Sequence, residues 1–376
     1  MKKIILLLLF LNGIVLSYAT RIEIDGIKYD TSELNKTAEV LKNNYTGSIV
    51  IPDEIEYEGI KYKVTSIGNE AFAKCEELQS IDLPSTITRI GDKAFQYCYG
   101  LESFVIPELV TMINNNTFEG LNIKTIKIPE NVVRIGDYAF LGCDNLETVY
   151  VDGPVEQIGT DAFYGCDNIQ DVYIKDLVHF SGMYLWSIYS SPLQYTKRLH
   201  YEGKEISNLV IPSEIDYVSR WAFNDCDFLT SVTLPNSIRK IQQGAFSGCD
   251  NLQTLVIGEN IYEFGDYSFS GCVNLKDVYI YTKGVPNLPG YEMFKDCNLD
   301  EATLHVPAMY IEDFKSHSPW KNFKNIVEIK GVDPSPTSIM SINTTTKDDK
   351  IYDLGGKSVV HPQKGVYIIN GIKVIK

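Results

Sequence analysis

The sequence predicts a solenoid, a coil of stacked units in which each unit contributes one short β-strand and returns through a turn. Three observations carry this. Phenylalanine recurs at Phe72, Phe95, Phe118, Phe140, Phe163, Phe223, Phe246, Phe269 and Phe294, mostly 22 or 23 residues apart, with one gap of 60 and a last step of 25. All eight cysteines (Cys75, Cys98, Cys143, Cys166, Cys226, Cys249, Cys272 and Cys297) stand three residues after one of these rings. Six residues after most of the rings, an apolar residue such as Leu78, Leu101, Leu146, Ile169 or Leu229 opens a strand-like run: LQSIDLP, LESFVIP, LETVYV, LTSVTLP.

Self-similarity at this period, with L-x-x-I-x-L at its centre, is the mark of a leucine-rich repeat solenoid, with short β-strands on the concave face and short helical turns or loops on the convex face. Each slot has a physical reason. Leu78, Ile81 and Leu83 point inward from one strand, and their equivalents stack one strand spacing away. No unit buries this face alone, so stacking is obligatory. Pro84, Pro107, Pro129 and Pro235 stop the strand, because proline cannot donate to a ladder. A second apolar pair follows (ITRIG, VVRIG, VEQIG, IYEFG). Asn69, Asp92, Asn115, Asp137, Thr160 and Asp266 then precede the Ala-Phe slot, where they suit the N-cap of a short helical turn.

The unit IGDKAFQYCYGLESFVIP resembles the BspA-like leucine-rich repeat of bacterial surface proteins and some protists, over about residues 45 to 330. GSIVIPDEIEYEGIKYKVTSIG resembles that family's N-terminal cap, which assigns residues 20–66 to a cap and 67–330 to the solenoid. LHVPAMYIEDFKSHSPWKNFKNIVEI resembles its C-terminal cap, at about 302–330. The resemblance implies a non-enzymatic surface protein without a cofactor, whose partners are host extracellular proteins or other cell surfaces. Two departures stand out. Unit three has Leu121 in the Cys slot, which marks that slot as buried. Residues 175–208, rich in tyrosine and bearing Phe180, Tyr184 and Trp186, fill the long gap. This insert reads either as an irregular rung or as a projecting loop whose aromatic residues meet a partner.

The two ends differ in character. MKKIILLLLFLNGIVLSYA, residues 1–19, reads as a signal peptide with Ser17-Tyr18-Ala19 as the cleavage site. Its apolar core is short for a membrane span, and no later segment is long and apolar enough for one. The mature chain is therefore expected outside the cytoplasm, secreted or held at the surface. Residues 331–350 read as a Ser/Thr/Pro-bearing linker, and 351–376 as a β-rich tail. That tail is similar to C-terminal sorting segments of exported proteins from anaerobic bacteria, although Gly356-Lys357 replaces the usual Gly-Arg; sorting and a small structural ornament both remain open.

The formal net charge of −15 argues against a nucleic-acid partner, which needs a basic stripe. Catalytic chemistry is hard to find. The five histidines, His179, His200, His305, His317 and His361, read as scattered, with no partner at metal-ligand spacing. No nucleophile elbow or phosphate-binding glycine loop occurs. Aspartates in the CDN-type turns (Asp144, Asp167, Asp227, Asp250) lack the alternation of calcium repeats.

A binding face is better supported. Alternation along each strand turns Lys127, Tyr150, Tyr173, Thr233 and Tyr279 outward. Tyrosine offers contact area and a hydroxyl at low entropy cost, though it also simply suits strands. Two uses follow: recognition of an extracellular or cell-surface protein, or stacking of a glycan on these tyrosines and Trp186. For the cysteines, one common slot favours small, buried thiols in the core; rung-to-rung disulfides and a metal site stay open beside it.

Overall fold

The computed structural model describes residues 19–329 except 288, and the strands Ile351–Tyr352, Val366–Ile369 and Ile372–Ile375. The signal-peptide reading up to residue 18 and the linker reading at 331–350 lie outside the described residues. The three tail strands pair antiparallel in chain order. The rest is a β-solenoid with little helix. It divides into two compact units: one ends at Leu146 and takes in Ala162–Asp167, and the other holds Glu147–Asp161 and the chain from Asn168 on.

The first unit opens on a sheet ordered Ala19–Ile24, Ile27–Ser32, Thr37–Val40, Ile60–Ile67, Glu54–Tyr57. Asp25 and Gly26, with φ of 50° and 78°, make the two-residue turn between its first strands, since both central residues of such a turn need positive φ. The pairing of Thr37–Val40 with Ile60–Ile67 is parallel. From there the repeats take over: Gly47–Val50 lies parallel to Leu78–Asp82, and Ile67 pairs with Ile90.

Two ladders hold the turn side of the repeats. Phe72, Phe95, Phe118, Phe140 and Phe163 are fully buried and stack, with centroids 5.0, 6.1, 5.4 and 4.9 Å apart in that order. Beside them the backbone is laddered too: Glu70, Phe72 and Lys74 donate their N–H groups to the carbonyls of Asp92, Ala94 and Gln96 at 2.8, 2.8 and 2.7 Å. The Glu70 slot has positive φ in successive repeats, as at Lys93 (55°), Asn116 (53°) and Tyr138 (56°).

These segments are hydrogen-bonded turns, not helices, which corrects the N-cap reading. Asn69 Oδ1 accepts from the backbone N–H of Asp92 (3.1 Å), Asp92 Oδ1 from Asn115 (3.0 Å) and Asn115 Oδ1 from Asp137 (2.8 Å). The side chain caps the neighbouring rung instead of its own. The glycine before this slot is required by close approach: a Cβ on Gly91 would meet Asn69 Oδ1 at 2.3 Å.

The cysteines form the third ladder. All eight are free; seven are buried and Cys297 is half-buried. In unit one, the thiols of Cys98, Cys143 and Cys166 donate to the carbonyls of Phe72, Phe118 and Phe140 at 2.9, 3.2 and 3.2 Å. Each of those carbonyls already accepts the N–H of its own rung's Cys or Leu121. The thiol thus fills the second lone pair of a buried oxygen, which leaving unsatisfied is costly. Burial pushes the Cys98 thiol up to about 12, so it stays protonated and poorly nucleophilic.

The run LESFVIP, expected as a strand, forms no strand at 101–107. Phe104 occupies the inward slot that Ile81 and Ile126 fill elsewhere. Its ring wedges edge-on or tilted against Phe95 (4.7 Å) and Phe118 (4.8 Å), where those two rings stand 6.1 Å apart. On the turn side the two rungs stay hydrogen-bonded, Phe95 N–H to the Thr117 carbonyl at 2.9 Å.

The second unit carries two runs of parallel strands. The first comprises Thr148–Val151, Asp171–Ile174 and Arg198–Tyr201, and is closed by the antiparallel Lys204–Glu205. The second runs Asn208–Val210, Ser231–Leu234, Thr254–Ile257, Asp277–Ile280, Thr303–Val306 and Asn325–Glu328. The stretch 175–208 continues the stack: Tyr184–Leu185 pairs parallel with Gln157–Ile158, and Leu177, Phe180, Met183, Leu185, Leu193 and Leu199 are buried. Its short helix Leu177–Gly182 is capped by Asp176, whose side chain accepts from His179 N–H. Phe223, Phe246, Phe269 and Phe294 rebuild the ring column at 5.4, 5.5 and 5.8 Å. Cys249, Cys272 and Cys297 donate to Phe223, Phe246 and Phe269. The column ends on Trp320, fully buried against Phe264, Phe294 and Phe314.

Candidate recognition face

The outward side of the strands in the second unit gathers rings. Parallel register sets Tyr150 beside Tyr173 and Tyr173 beside His200. The rings stack at 4.7 Å and 15°, then at 4.2 Å and 10°. The second run repeats the motif: Tyr279 is in register with His305, and the rings stack at 4.2 Å and 10°. Each histidine reaches an aspartate two residues before the stacked tyrosine. His200 Nε2 lies 2.8 Å from Asp171 Oδ1, and His305 Nε2 lies 2.9 Å from Asp277 Oδ1. Two Asp–Tyr–His groups therefore stand on this face, each spanning adjacent strands.

The histidines correct the reading of them as scattered. His200 and His305 fall in strand slots, in register with regular repeats. The signal was present as Asp-Val-Tyr-Ile at 171–174 and 277–280, each followed one rung later by Leu-His. The uneven gaps hid it.

Arg198 grips Asp171 with both ends of its fork, Nε to Oδ1 and Nη2 to Oδ2, each at 2.7 Å. This bond, with a further one from His200, holds the Asp171 carboxyl down at about 2 against the opposing effect of burial. Desolvation and the neighbouring aspartates push the hydroxyls of Tyr173 and Tyr279 above the ordinary tyrosine value. Both remain neutral donors at physiological pH.

The other expected residues divide. Tyr150, Tyr173 and Tyr279 are half-buried, while Lys127, in the first unit, is exposed and ion-paired with Glu108 at 3.6 Å. Thr233 departs from expectation: it is 7% exposed, and Val256 beside it is 4% exposed. Alternation alone turns Thr233 outward, but its surroundings close over it and leave little of its side chain exposed. In the insert, Tyr184 and Trp186 are exposed and meet edge-to-face at 5.2 Å. Arg220, which the sequence reading passed over, lies 4.2 Å over the Tyr184 ring and 5.1 Å over that of Trp221. Among the described residues no cluster of His, Cys, Asp and Glu has the make-up of a metal site, and no helix is long and apolar enough to cross a membrane. Of the CDN-type aspartates, Asp227 accepts the backbone N–H of Asp250 at Oδ1, at 3.2 Å.

The model of the BspA type leucine-rich repeat region matches in six copies, over residues 65–190 and 196–317. Solved structures with a similar chain path include a leucine-rich repeat protein from Bacteroides ovatus, 24% identical, covering 82% of this chain and 100% of that one, with a TM-score of 0.36. The pneumococcal vaccine antigen PcpA is 16% identical, covers 84% of this chain and 100% of its own, and gives a TM-score of 0.42. A leucine-rich cell surface protein from Faecalibacterium prausnitzii is 18% identical, with coverage of 84% and 99% and a TM-score of 0.32. No sequence among the curated proteins matches this chain. With its repeat model matched over more than half its length, the chain belongs to the BspA type leucine-rich repeat family.

Proposed function

We propose that this is an exported, non-enzymatic repeat protein that recognises an extracellular or cell-surface protein through the ring-bearing outward face of its strands. One observation carries the reading: the stack of Tyr150, Tyr173 and His200. The rings cover one another's faces, so edges and hydroxyls are what the inner rings offer to a partner. That suits hydrogen bonding and edge contacts with a protein surface, in which tyrosine is a favoured anchor. It suits a sugar ring poorly, since stacking needs a free aromatic face. Export rests on the signal-peptide reading of the first residues, and the tail keeps its proposed role in sorting or attachment.

The test is an array of extracellular-matrix proteins and glycans probed with the mature chain. Binding to proteins, lost by at least about tenfold in Tyr150→Ala/Tyr173→Ala, is the expected result, since truncating hot-spot residues costs about 2 kcal/mol or more. Undiminished binding by the double variant sinks the proposal. A second reading, glycan recognition, is favoured by a different place: the exposed pair Tyr184 and Trp186 in the insert.

A further inference from the structure

Arg220 stands in the turn slot that Asn69, Asp92 and Asn115 fill in other rungs. Its guanidinium is fixed on three sides. Nε donates to the carbonyl of Leu185 at 2.9 Å, the Tyr184 ring lies 4.2 Å from its central carbon, and Trp221 lies at 5.1 Å. The backbone N–H of Arg220 is held by Gln242 Oε1 at 3.1 Å. Neither Nη group has a hydrogen-bond partner or carboxylate among the described residues, in contrast to the doubly engaged forks of Arg89 and Arg198. A positioned guanidinium with two open N–H donors in one plane is built to take a carboxylate bidentately.

Its surroundings narrow the ligand. Tyr184, against the fork, is 41% exposed, and Trp186, edge-to-face with Tyr184 at 5.2 Å, is 51% exposed. Next to Trp186, Ser187 Oγ donates to Asp161 Oδ1 at 2.6 Å, and Ser187 also meets Ser190, so the border of the rings is polar. An exposed indole and phenol with a polar border give a platform the size of one or two sugar rings, not the broad desolvated patch of a protein interface. We infer that Arg220, Tyr184, Trp186 and Trp221 form a subsite for an acidic sugar, the guanidinium taking the uronate-type carboxylate while the pyranose packs on Trp186. This inference rests on the glycan reading of the insert and is independent of the ring-stacked strand face.

A trimer of galacturonic acid, its methyl ester and a neutral galactose trimer separate the possibilities. Binding to the full chain is read by calorimetry and by the change in indole fluorescence on adding sugar, which reports Trp186 and Trp221 because the fully buried Trp320 is out of a ligand's reach. The acid trimer should bind, weaken as salt is raised, and lose about tenfold or more in Arg220→Ala, as expected for a charge-assisted pair. Arg220→Lys should recover only part of the affinity, since it restores charge without the fork. Trp186→Ala should weaken all sugars. Unchanged thermal midpoints in these variants tie the losses to the site. Equal binding of ester and acid overturns the acidic-sugar assignment and leaves glycan recognition standing; no binding by any sugar removes both. A polyglutamate peptide binding as tightly as the acid trimer also overturns it, marking a general carboxylate site.

Discussion

The strand pair Asp171–Ile174 and Arg198–Tyr201 and the pair Asp277–Ile280 and Thr303–Val306 carry the same three outward side chains in the same register. In both, a tyrosine stacks on a histidine at 4.2 Å and 10°, and the histidine meets the aspartate. They differ at the position facing the aspartate, where Asp171 faces Arg198 and Asp277 faces Thr303, and one residue past the histidine, where Tyr201 stands against Val306. Asp171 is correspondingly 18% exposed at its side chain and Asp277 42%. The difference teaches that the Tyr–His stack needs no arginine. Parallel register alone sets the rings one strand apart, within the distance aromatic pairs prefer. The clamp is an addition that shields one aspartate and changes its acid response.

The largest effect comes from emptying the ring column of the run of repeats that carries the second pair. Phe246 is fully buried between Phe223 at 5.4 Å and Phe269 at 5.5 Å. Phe246→Ala should destabilise the protein by about 3–5 kcal/mol, the usual cost of emptying a buried phenyl site. Phe180, within the insert, packs on Phe223 tilted and farther off, at 6.3 Å. Phe180→Ala should therefore fall at the low end of that range. Denaturant unfolding of both variants checks the order; a larger loss from Phe180→Ala would show that the insert, and not the regular column, anchors this unit.

Much of this interior was legible in the sequence because its slots recur. Phenylalanine, cysteine and leucine stand at fixed offsets, and a stacked fold repeats each environment once per rung. Where a residue fits its slot in polarity but not in size, the pattern misleads. Phe104 reads as one more inward apolar residue, yet its ring packs between Phe95 and Phe118 and its rung forms no strand. Thr233 shows the converse, since alternation gives direction but not what closes over a side chain. The candidate site was half visible. Tyr150, Tyr173 and Tyr279 follow from alternation. His200 and His305 do not, because the spacings from tyrosine to histidine, 27 and 26 residues, exceed the common repeat. Arg220 could have been noticed as the cation in a slot of amides and carboxylates, but its open donors exist only through the Leu185 carbonyl and the two flanking rings.

A smaller effect distinguishes the pairs by acid. Unfolded, the Asp171 carboxyl titrates near about 4; folded, Arg198 holds it at about 2. A depressed folded value means that the pair's contribution is in place above about pH 4 and is lost as pH falls through about 2. Arg198→Ala should then lower the thermal midpoint at neutral pH and converge on the parent protein near pH 2. Because Arg198 is 45% exposed at its side chain, the neutral-pH loss should be about 1 kcal/mol or less. A loss that persists unchanged into acid would mean that Arg198 acts through packing of its stem, not through charge.

The smallest effect, and the sharpest test of the comparison, is to install the missing clamp. Thr303 faces Asp277 as Arg198 faces Asp171, on the same kind of parallel register and beside the same Tyr–His stack. Thr303→Arg should bring a guanidinium to Asp277, read as a coupling between the two in a double-mutant cycle with Asp277→Asn. The gain in stability should be no more than about 0.5 kcal/mol, because an exposed pair surrenders most of its Coulomb energy to solvent and side-chain entropy. The value of the variant lies in direction. If the coupling appears while the His305 ring stays stacked on Tyr279, then clamp and stack are separable, as the natural contrast implies. If the new arginine instead draws Asp277 off His305 and the ring contact is lost, the aspartate bond and not the strand register holds the ring, and the two groups share a cause deeper than geometry.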